Sequence, residues 1–155
     1  MSHIEGEILI WRRVEDVFDF VADERNEPRY NPRMLRVEKL TDGEIGIGTK
    51  FAATTNSGRE TADMIIEVTA FDRPRRLASA TTLPSMSITG TSTLEPAGAA
   101  TRMRWSWELR PRGALKLLGP IVTVVGRRNE TAIWADLKRL LESEGDNQAG
   151  ASTSG

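Results

Sequence analysis

Polar residues that could carry chemistry are few in this sequence, and they form no known catalytic arrangement. The chain has no cysteine and a single histidine, His3, beside the N-terminus. Disulfide bonds, thiolate zinc sites and cysteine nucleophiles are therefore excluded. Histidine metal sites and Ser-His-Asp triads have almost nothing to draw on. We expect neither a metal nor any other cofactor.

The remaining candidates for acid–base chemistry are a phenol, a guanidinium and two carboxylates. Tyr30, the sole tyrosine, could cap a pocket or act as an acid. Arg128 falls near the predicted inward stripe of the C-terminal helix, where it could meet a ligand carboxylate or enolate oxygen. It could equally pair with Asp63 or Glu67. Strand alternation places those two acids opposite Met64 and therefore on the solvent side.

Large apolar side chains alternate with polar ones near the end of the predicted sheet. The apolar set is Met103, Trp105, Trp107 and Leu109, and the polar set is Arg102, Arg104, Ser106 and Glu108. Successive strand residues point to opposite faces, so the apolar set must face the interior. This surface could be ordinary core or the wall of a ligand cavity, since an indole offers flat apolar area and one hydrogen-bond donor.

Neighbouring strands favour a cavity because their inward faces lack bulk. Methionine and isoleucine share faces on two strands, while Ser79 and Thr81 alternate with alanines on the strand between them. Protein interiors are close-packed, so a shortage of side-chain volume indicates a void. The predicted ligand-binding wall is Tyr30, Met64, Ile66, Met86, Ile88, Met103, Trp105, Trp107, Ile121, Val124, Val125 and Arg128.

The elements that must position these residues follow from hydrophobic periodicity and turn signals. The pattern predicts a strand at 4–11 and two short helices at 14–23 and 24–30. It then predicts six strands at 34–40, 49–55, 61–71, 76–82, 85–94 and 101–109, and one long helix at 114–142. Tight turns between the strands indicate an antiparallel meander. Gly119-Pro120 predicts a kink in the long helix.

The chain as a whole has the size and charge of one soluble domain. It contains 155 residues, with 21 basic and 22 acidic side chains. We expect a folded domain at 1–143 and a disordered, small and polar tail at 144–155. The near-neutral charge gives no indication of nucleic-acid binding. No signal pattern or membrane span is predicted, so we expect a cytoplasmic protein that is a monomer or a homodimer.

Several of these segments together resemble a known family. The runs VFDFVAD at 17–23, YNP at 30–32 and GIGTKF at 46–51 resemble the polyketide cyclase/dehydrase-like branch of the START-like (SRPBCC) superfamily. The strand-end turn at 71–77 and the helix at 126–140 are similar to that family as well. Tyr30 stands where tryptophan is more usual. The resemblance implies an α+β helix-grip fold, in which a curved seven-stranded antiparallel sheet wraps around the long C-terminal helix and two short helices separate strands 1 and 2.

The resemblance also implies a deep hydrophobic cavity between sheet and helix. Members of this superfamily bind lipids, sterols, polyketides, plant hormones or flavonoids, and some cyclise or dehydrate polyketides. Three hypotheses stay open: binding or transport of a hydrophobic small molecule, a cyclase/dehydratase-type enzyme, and a protein-partner or stress-response module. The first is favoured because the predicted interior is rich in aromatic residues and methionine, while catalytic groups are scarce. No catalytic residue is assigned.

Overall fold

The computed structural model describes residues 2–56 and 60–153, apart from the side chains of 114, 115, 118–123 and 146–153. Its strands are β1 (Ser2–Ile10), β2 (Met34–Lys39), β3 (Lys50–Asn56), β4 (Thr61–Asp72), β5 (Arg76–Leu83), β6 (Met86–Ala97) and β7 (Ala100–Pro111). Its helices are α1 (Val14–Ala22), two 3₁₀ helices (Glu24–Arg29 and Gly113–Leu118) and α2 (Gly119–Thr153).

The strands form one antiparallel sheet in the order β1-β7-β6-β5-β4-β3-β2. From β2 to β7 each strand pairs with its neighbour in the chain, as the tight turns predicted. β1 pairs instead with β7, so Ile4 lies opposite Trp107. The curved sheet, the two short helical segments after β1 and the long C-terminal helix confirm the predicted helix-grip fold.

Side-chain alternation builds the concave face of the sheet. On β4, Met64, Ile66 and Val68 are buried, whereas Asp63 and Ile65 between them are exposed. On β7, Met103, Trp105 and Leu109 are buried in the same way. The pattern follows from the period of two in a strand, and it directs the apolar residues of both strands toward α1 and α2.

The core lies between the sheet, α1 and the C-terminal half of α2. α1 contributes its apolar stripe through Val17 and Phe18, and α2 contributes Leu137 and Leu141, all of them almost fully buried. The N-terminal part of α2 differs, since Val124 remains 57% exposed. The sheet is therefore densely covered by one half of α2 and left less covered by the other.

Polar contacts to β1 hold the C-terminal half of α2 in place. Lys138 Nζ donates to the carbonyl oxygen of Leu9 at 2.8 Å, and Arg12 Nη1 donates to the carbonyl oxygen of Leu141 at 2.7 Å. The backbone N–H of Trp11 donates to Glu142 at 3.0 Å. These contacts fix the position of α2 along the end of β1.

The C-terminal region differs from the sequence prediction in the place where the long helix begins. Residues 113–118 are a 3₁₀ helix, so α2 begins at Gly119, where the sequence predicted a kink. The division into a domain at 1–143 and a tail at 144–155 stays a prediction, and the described backbone stays helical to Thr153. Contacts with the folded body explain part of this: Glu144 pairs with Arg29, and Gly145 lies against the side chain of Arg12. In the part of the chain that the structure describes, no helix has both the length and the apolar character to cross a bilayer.

Candidate functional site

A cavity of about 510 Å³ lies between the concave face of the sheet and the middle of α2. All seven strands contribute to its wall, together with α1, the first 3₁₀ helix and α2. The cavity is partly open to solvent, and the exposed side chains of Arg33 and Val125 lie on its wall. Small-molecule pockets in proteins span about 300–1,000 Å³, so the volume suits a ligand of ordinary metabolite size.

Small residues on the central strands leave this space open. Ser79 and Thr81 on β5 and Ser92 on β6 face the cavity where larger side chains would fill it. Gly90 on β6 has a further role, because a Cβ atom there would lie 1.6 Å from Cε3 of Trp107. The glycine lets the indole of Trp107 lie directly against the neighbouring strand, with one side of the ring system on the cavity.

Glu130 of α2 is held inside the cavity wall by two indoles. Its Oε2 accepts hydrogen bonds from Nε1 of Trp134 at 2.7 Å and from Nε1 of Trp107 at 3.2 Å. Burial raises the pKa of Glu130 to about 7, and the charge of Glu27 acts in the same direction, while the two indole donors oppose the rise. Glu130 is therefore an acid that exchanges its proton near neutral pH.

Two further carboxylates reach the cavity from the first 3₁₀ helix. Glu24 and Glu27 both line the wall, and Glu27 Oε1 accepts a hydrogen bond from Nδ2 of Asn31 at 3.0 Å. Burial raises the pKa of Glu24 well above its ordinary value, and the neighbouring charge of Glu27 adds to the rise. We refer to Glu24, Glu27 and Glu130 as the acidic pole of the cavity.

Tyr30 lies among these carboxylates. It is 5% exposed, and its ring stacks on Trp134 with centroids 6.1 Å apart and also contacts Phe20. Burial raises the pKa of Tyr30 well above its ordinary value, and the charges of Glu27, Glu24 and Glu130 raise it further. Its hydroxyl group therefore stays protonated. It makes no hydrogen bond with another described residue.

The structure places the residues predicted for the ligand wall in four groups. On the cavity wall are Tyr30, Met64, Ile66, Met86, Ile88, Trp107 and Val125. In the closed core are Met103 and Trp105. On the exposed surface of α2 are Val124 and Arg128. Outside the described side chains is Ile121.

The positions of Arg128 and Val124 correct the predicted helix stripe. The sequence placed Arg128 near the inward stripe of the helix, but its side chain is exposed, as is that of Ala132 one turn later. The inward stripe instead runs through Glu130, Trp134, Leu137 and Leu141, which share the spacing of one helix face. The reason is packing: Trp134 contacts both Tyr30 and Trp105, with its ring centroid 5.5 Å from that of Trp105, and this fixes the rotation of α2.

Sequence reasoning also missed the acidic pole. Glutamates on a helix ordinarily face solvent, so Glu24, Glu27 and Glu130 were not considered as site residues. The available signal was the apolar series at 134, 137 and 141, which extends back to position 130 at i−4. Asp63, by contrast, lies on the outer face as strand alternation predicted, where it accepts a hydrogen bond from Oγ1 of Thr54 at 2.9 Å.

Comparison with known proteins assigns this fold and cavity to a family. The family model described as "Polyketide cyclase / dehydrase and lipid transport" matches residues 1–142. The chain belongs to this polyketide cyclase/dehydrase family. No curated protein matches it significantly in sequence. The family description joins chemistry on polyketides with transport of lipids, and both activities require space for an apolar molecule.

Solved structures share the fold of this family member across nearly their whole length. A START superfamily protein from Mycobacterium smegmatis superposes with a TM-score of 0.80 at 12% identity, covering 92% of this chain and 99% of the other. The protein TTHA0849 from Thermus thermophilus gives 0.79 at 16% identity, with 92% and 99% covered. The Zhui aromatase/cyclase from Streptomyces sp. R1128 gives 0.73 at 17% identity, with 90% and 95% covered. At these identities the similarity shows the fold alone.

Proposed function

We propose that this protein binds or transports a hydrophobic small molecule, such as a lipid, a polyketide or another aromatic metabolite, in the cavity between the sheet and α2. The single observation behind the proposal is a cavity of about 510 Å³ in a protein of the polyketide cyclase/dehydrase family. Without a ligand, the apolar part of the wall faces water, and its atoms lack the packing contacts of a protein interior. A bound ligand would restore those contacts.

The composition of the wall supports an apolar ligand with a defined orientation. Met64, Ile66 and Ile88 provide apolar surface on the sheet, and burial of apolar area contributes about 25 cal/mol per Å². The hydroxyl groups of Ser79 and Thr81 lie among them. A few polar groups on an apolar wall are the usual means of fixing the orientation of a ligand.

Thermal unfolding with a panel of single-chain lipids and aromatic polyketide analogues tests this proposal. A ligand at 100 times its Kd stabilises the folded state by about 2.7 kcal/mol, so the midpoint should rise by several degrees. Tryptophan fluorescence should change as well, because Trp107 and Trp134 line the cavity. A panel that changes neither signal would contradict the proposal.

A matched pair of variants ties binding to the cavity. Ser79→Trp places a large side chain inside the cavity and should abolish the ligand-induced shift in midpoint. Thr89→Trp adds the same side chain at an exposed position on β6 and should leave the shift unchanged. Equal binding by both variants would show that the ligand binds elsewhere.

Glu130 favours a second candidate function, an enzyme of the cyclase/dehydratase type that uses the same cavity. A general acid or base works best when its pKa lies near the working pH, and the pKa of Glu130 is about 7. Turnover of a polyketide analogue should then follow the protonation of one group near pH 7, and Glu130→Gln should abolish turnover while retaining ligand binding. Unchanged turnover in that variant would remove Glu130 from the mechanism.

A further inference from the structure

The acidic pole lacks a positive partner within the protein. Elsewhere on the surface, carboxylates pair with arginine or lysine, as Asp19 does with Arg73 at 2.7 Å. Among the described residues, neither Glu24 nor Glu27 nor Glu130 forms an ion pair. The basic residue on the described wall is Arg33, whose side chain is exposed to solvent. Three carboxyl groups thus share a partly buried space, and no described basic side chain pairs with any of them.

The side chain of Tyr30 lines the same cavity, and its hydroxyl group has no hydrogen bond with another described residue. Tyr30 is only 5% exposed. The charges of Glu24, Glu27 and Glu130 all act on its phenol group. Buried polar groups in folded proteins nearly always have a hydrogen-bond partner. The hydroxyl oxygen of Tyr30 receives no hydrogen bond from a described residue and is not among the fully enclosed atoms, so it can bond to the contents of the cavity, whether water or ligand.

Aromatic rings surround Glu130. Trp107 and Trp134 both donate their indole N–H to Oε2 of this residue, and Tyr30 stacks on Trp134. The two indoles are therefore fixed with their N–H groups on the carboxylate and their ring systems on the cavity wall. The faces of such rings attract cations, most strongly where water is excluded.

We infer that the ligand is an amphipathic amine, whose protonated nitrogen lies at the acidic pole between the rings and whose apolar body fills the rest of the cavity. This inference rests on the proposed binding function and adds the chemical class of the ligand. Ionised carboxylates only accept hydrogen bonds, whereas an ammonium group has three donors and no acceptor. It can therefore satisfy several carboxylate oxygens and the oxygen of Tyr30 while it balances the buried charge.

The inference predicts the direction in which the affinity for an amine changes with pH. In the empty protein the pKa of Glu130 is about 7, so its carboxyl group loses its proton as the pH rises from about 6 to about 8. A cation binds the ionised form better and in turn favours ionisation. Alkyl ammonium groups stay charged in this range, because their pKa is about 10. Affinity for an amine should therefore increase with pH, while affinity for a neutral alcohol should not. The other titratable or charged groups near the pole are Glu24, Glu27, Tyr30, Asp23 and Arg33. Burial favours the neutral form of Glu24, Tyr30 stays protonated, and Asp23 is paired with Arg25.

Three ligands with the same apolar chain and different head groups test the inference on the full-length protein. Dodecylammonium, dodecanol and dodecanoate compete with a polarity-sensitive fluorophore in the cavity at pH 6 and pH 8. We expect the amine to bind at least about tenfold more tightly than the alcohol at pH 8, equivalent to about 1.4 kcal/mol, with a smaller advantage at pH 6. Dodecanoate should bind most weakly.

Variants test whether the preference for the amine comes from the acidic pole. Glu130→Gln keeps the shape and an oxygen acceptor for the indoles but removes the charge, so the advantage of the amine should fall about tenfold while dodecanol binds as before. Glu38→Gln makes the same change at an exposed position on β2 and should leave all three affinities unchanged. Should Glu130→Gln fail to fold, Glu27→Gln and the pH dependence of the unaltered protein test the same point.

The outcomes separate this inference from the proposed function. If the alcohol or the carboxylate binds as tightly as the amine at pH 8, the inference is overturned and the binding function stands. If no compound displaces the fluorophore from the cavity, both are overturned. An amine preference that survives in both glutamine variants would also overturn the assignment to the acidic pole.

Discussion

Glu130 combines two opposing influences on one carboxyl group. Its Oε2 receives two indole hydrogen bonds, which stabilise the charge, and its burial removes water, which destabilises the charge. Burial has the larger effect, so the pKa rises from the ordinary 4.5 to about 7. A protein that kept this residue for stability alone would gain from a neutral side chain. A carboxyl group with a perturbed pKa in a cavity wall is a candidate for a role toward a ligand.

Glu130→Gln should therefore stabilise the empty protein at high pH. The folded-state pKa of Glu130 lies above its unfolded value, so the protein loses stability as the pH rises from about 4.5 through 7. At pH 8 the full cost applies, and each pKa unit corresponds to about 1.4 kcal/mol. We expect the variant to be more stable than the original by up to about 3 kcal/mol at pH 8, with the difference vanishing near pH 4.

Urea unfolding at pH 5 and pH 8 measures this difference. Glu38→Gln provides the control, because it removes one exposed carboxylate without changing the cavity. The prediction would be contradicted if the stability advantage of Glu130→Gln over the original protein were smaller at pH 8 than at pH 5.

Gly90 is the second residue with a specific consequence. A methyl group at this position would overlap the Trp107 ring, so Gly90→Ala must displace either the indole or strand β6. Overpacking of this kind costs about 1–3 kcal/mol. We expect a loss of that size in the free energy of unfolding, together with weaker ligand binding. Gly46→Ala is the matched control, since a Cβ there meets nothing within 4 Å.

At the scale of elements, α2 is attached to the sheet by its C-terminal half. The apolar contacts of Leu137 and Leu141 and the polar contacts to β1 all occur there. The preceding segment, from Val125 to Trp134, covers the cavity instead of filling it. α2 thus packs into the core around Leu137 and Leu141 and lines the cavity from Val125 to Trp134. The core contacts hold the cavity-lining segment in position.

Lys138→Met tests the attachment of α2. The substitution keeps the length of the side chain but removes the hydrogen bond to Leu9 and the ion pair with Glu142. Loss of a part-buried hydrogen bond costs about 1–2 kcal/mol. Arg139→Met removes an exposed pair with Asp136 and should change stability by less than about 0.5 kcal/mol. Denaturant unfolding measures the free energy of unfolding of both variants. Equal losses in the two would show that the contact of Lys138 with β1 adds nothing to stability.

At the scale of the whole molecule, small residues on the sheet make room for the cavity. Its strands carry serine, threonine and glycine toward the concave face, and a cavity of about 510 Å³ lies against that face. A bound molecule would recover the missing contacts, so the folded protein should retain its ligand through purification. Native mass spectrometry of freshly purified protein should then show an adduct of a few hundred daltons, which Ser79→Trp lacks. A clean unliganded mass for both proteins would count against this expectation.

The sequence, with its family resemblance, determined the fold, the antiparallel order from β2 to β7 and most of the inward-facing residues. The pairing of β1 with β7 was not among its predictions. Strand alternation has a fixed period of two, so Met64, Ile66, Met86, Ile88 and Trp107 could be assigned to the concave face without coordinates. Turn residues located the ends of nearly every strand. The scarcity of catalytic side chains and the resemblance of several segments to one family favoured the hypothesis that the protein binds a hydrophobic small molecule.

Only the tertiary structure decided which face of α2 covers the cavity. A helix that is apolar on more than one side permits several rotations, and the contacts of Trp134 with Tyr30 and Trp105 select one of them. That rotation turns Arg128 outward and Glu130 inward. It also brings Glu130 near two glutamates that lie far earlier in the chain, before β2. The charge of the site depends on this long-range packing, which no local pattern of residues encodes.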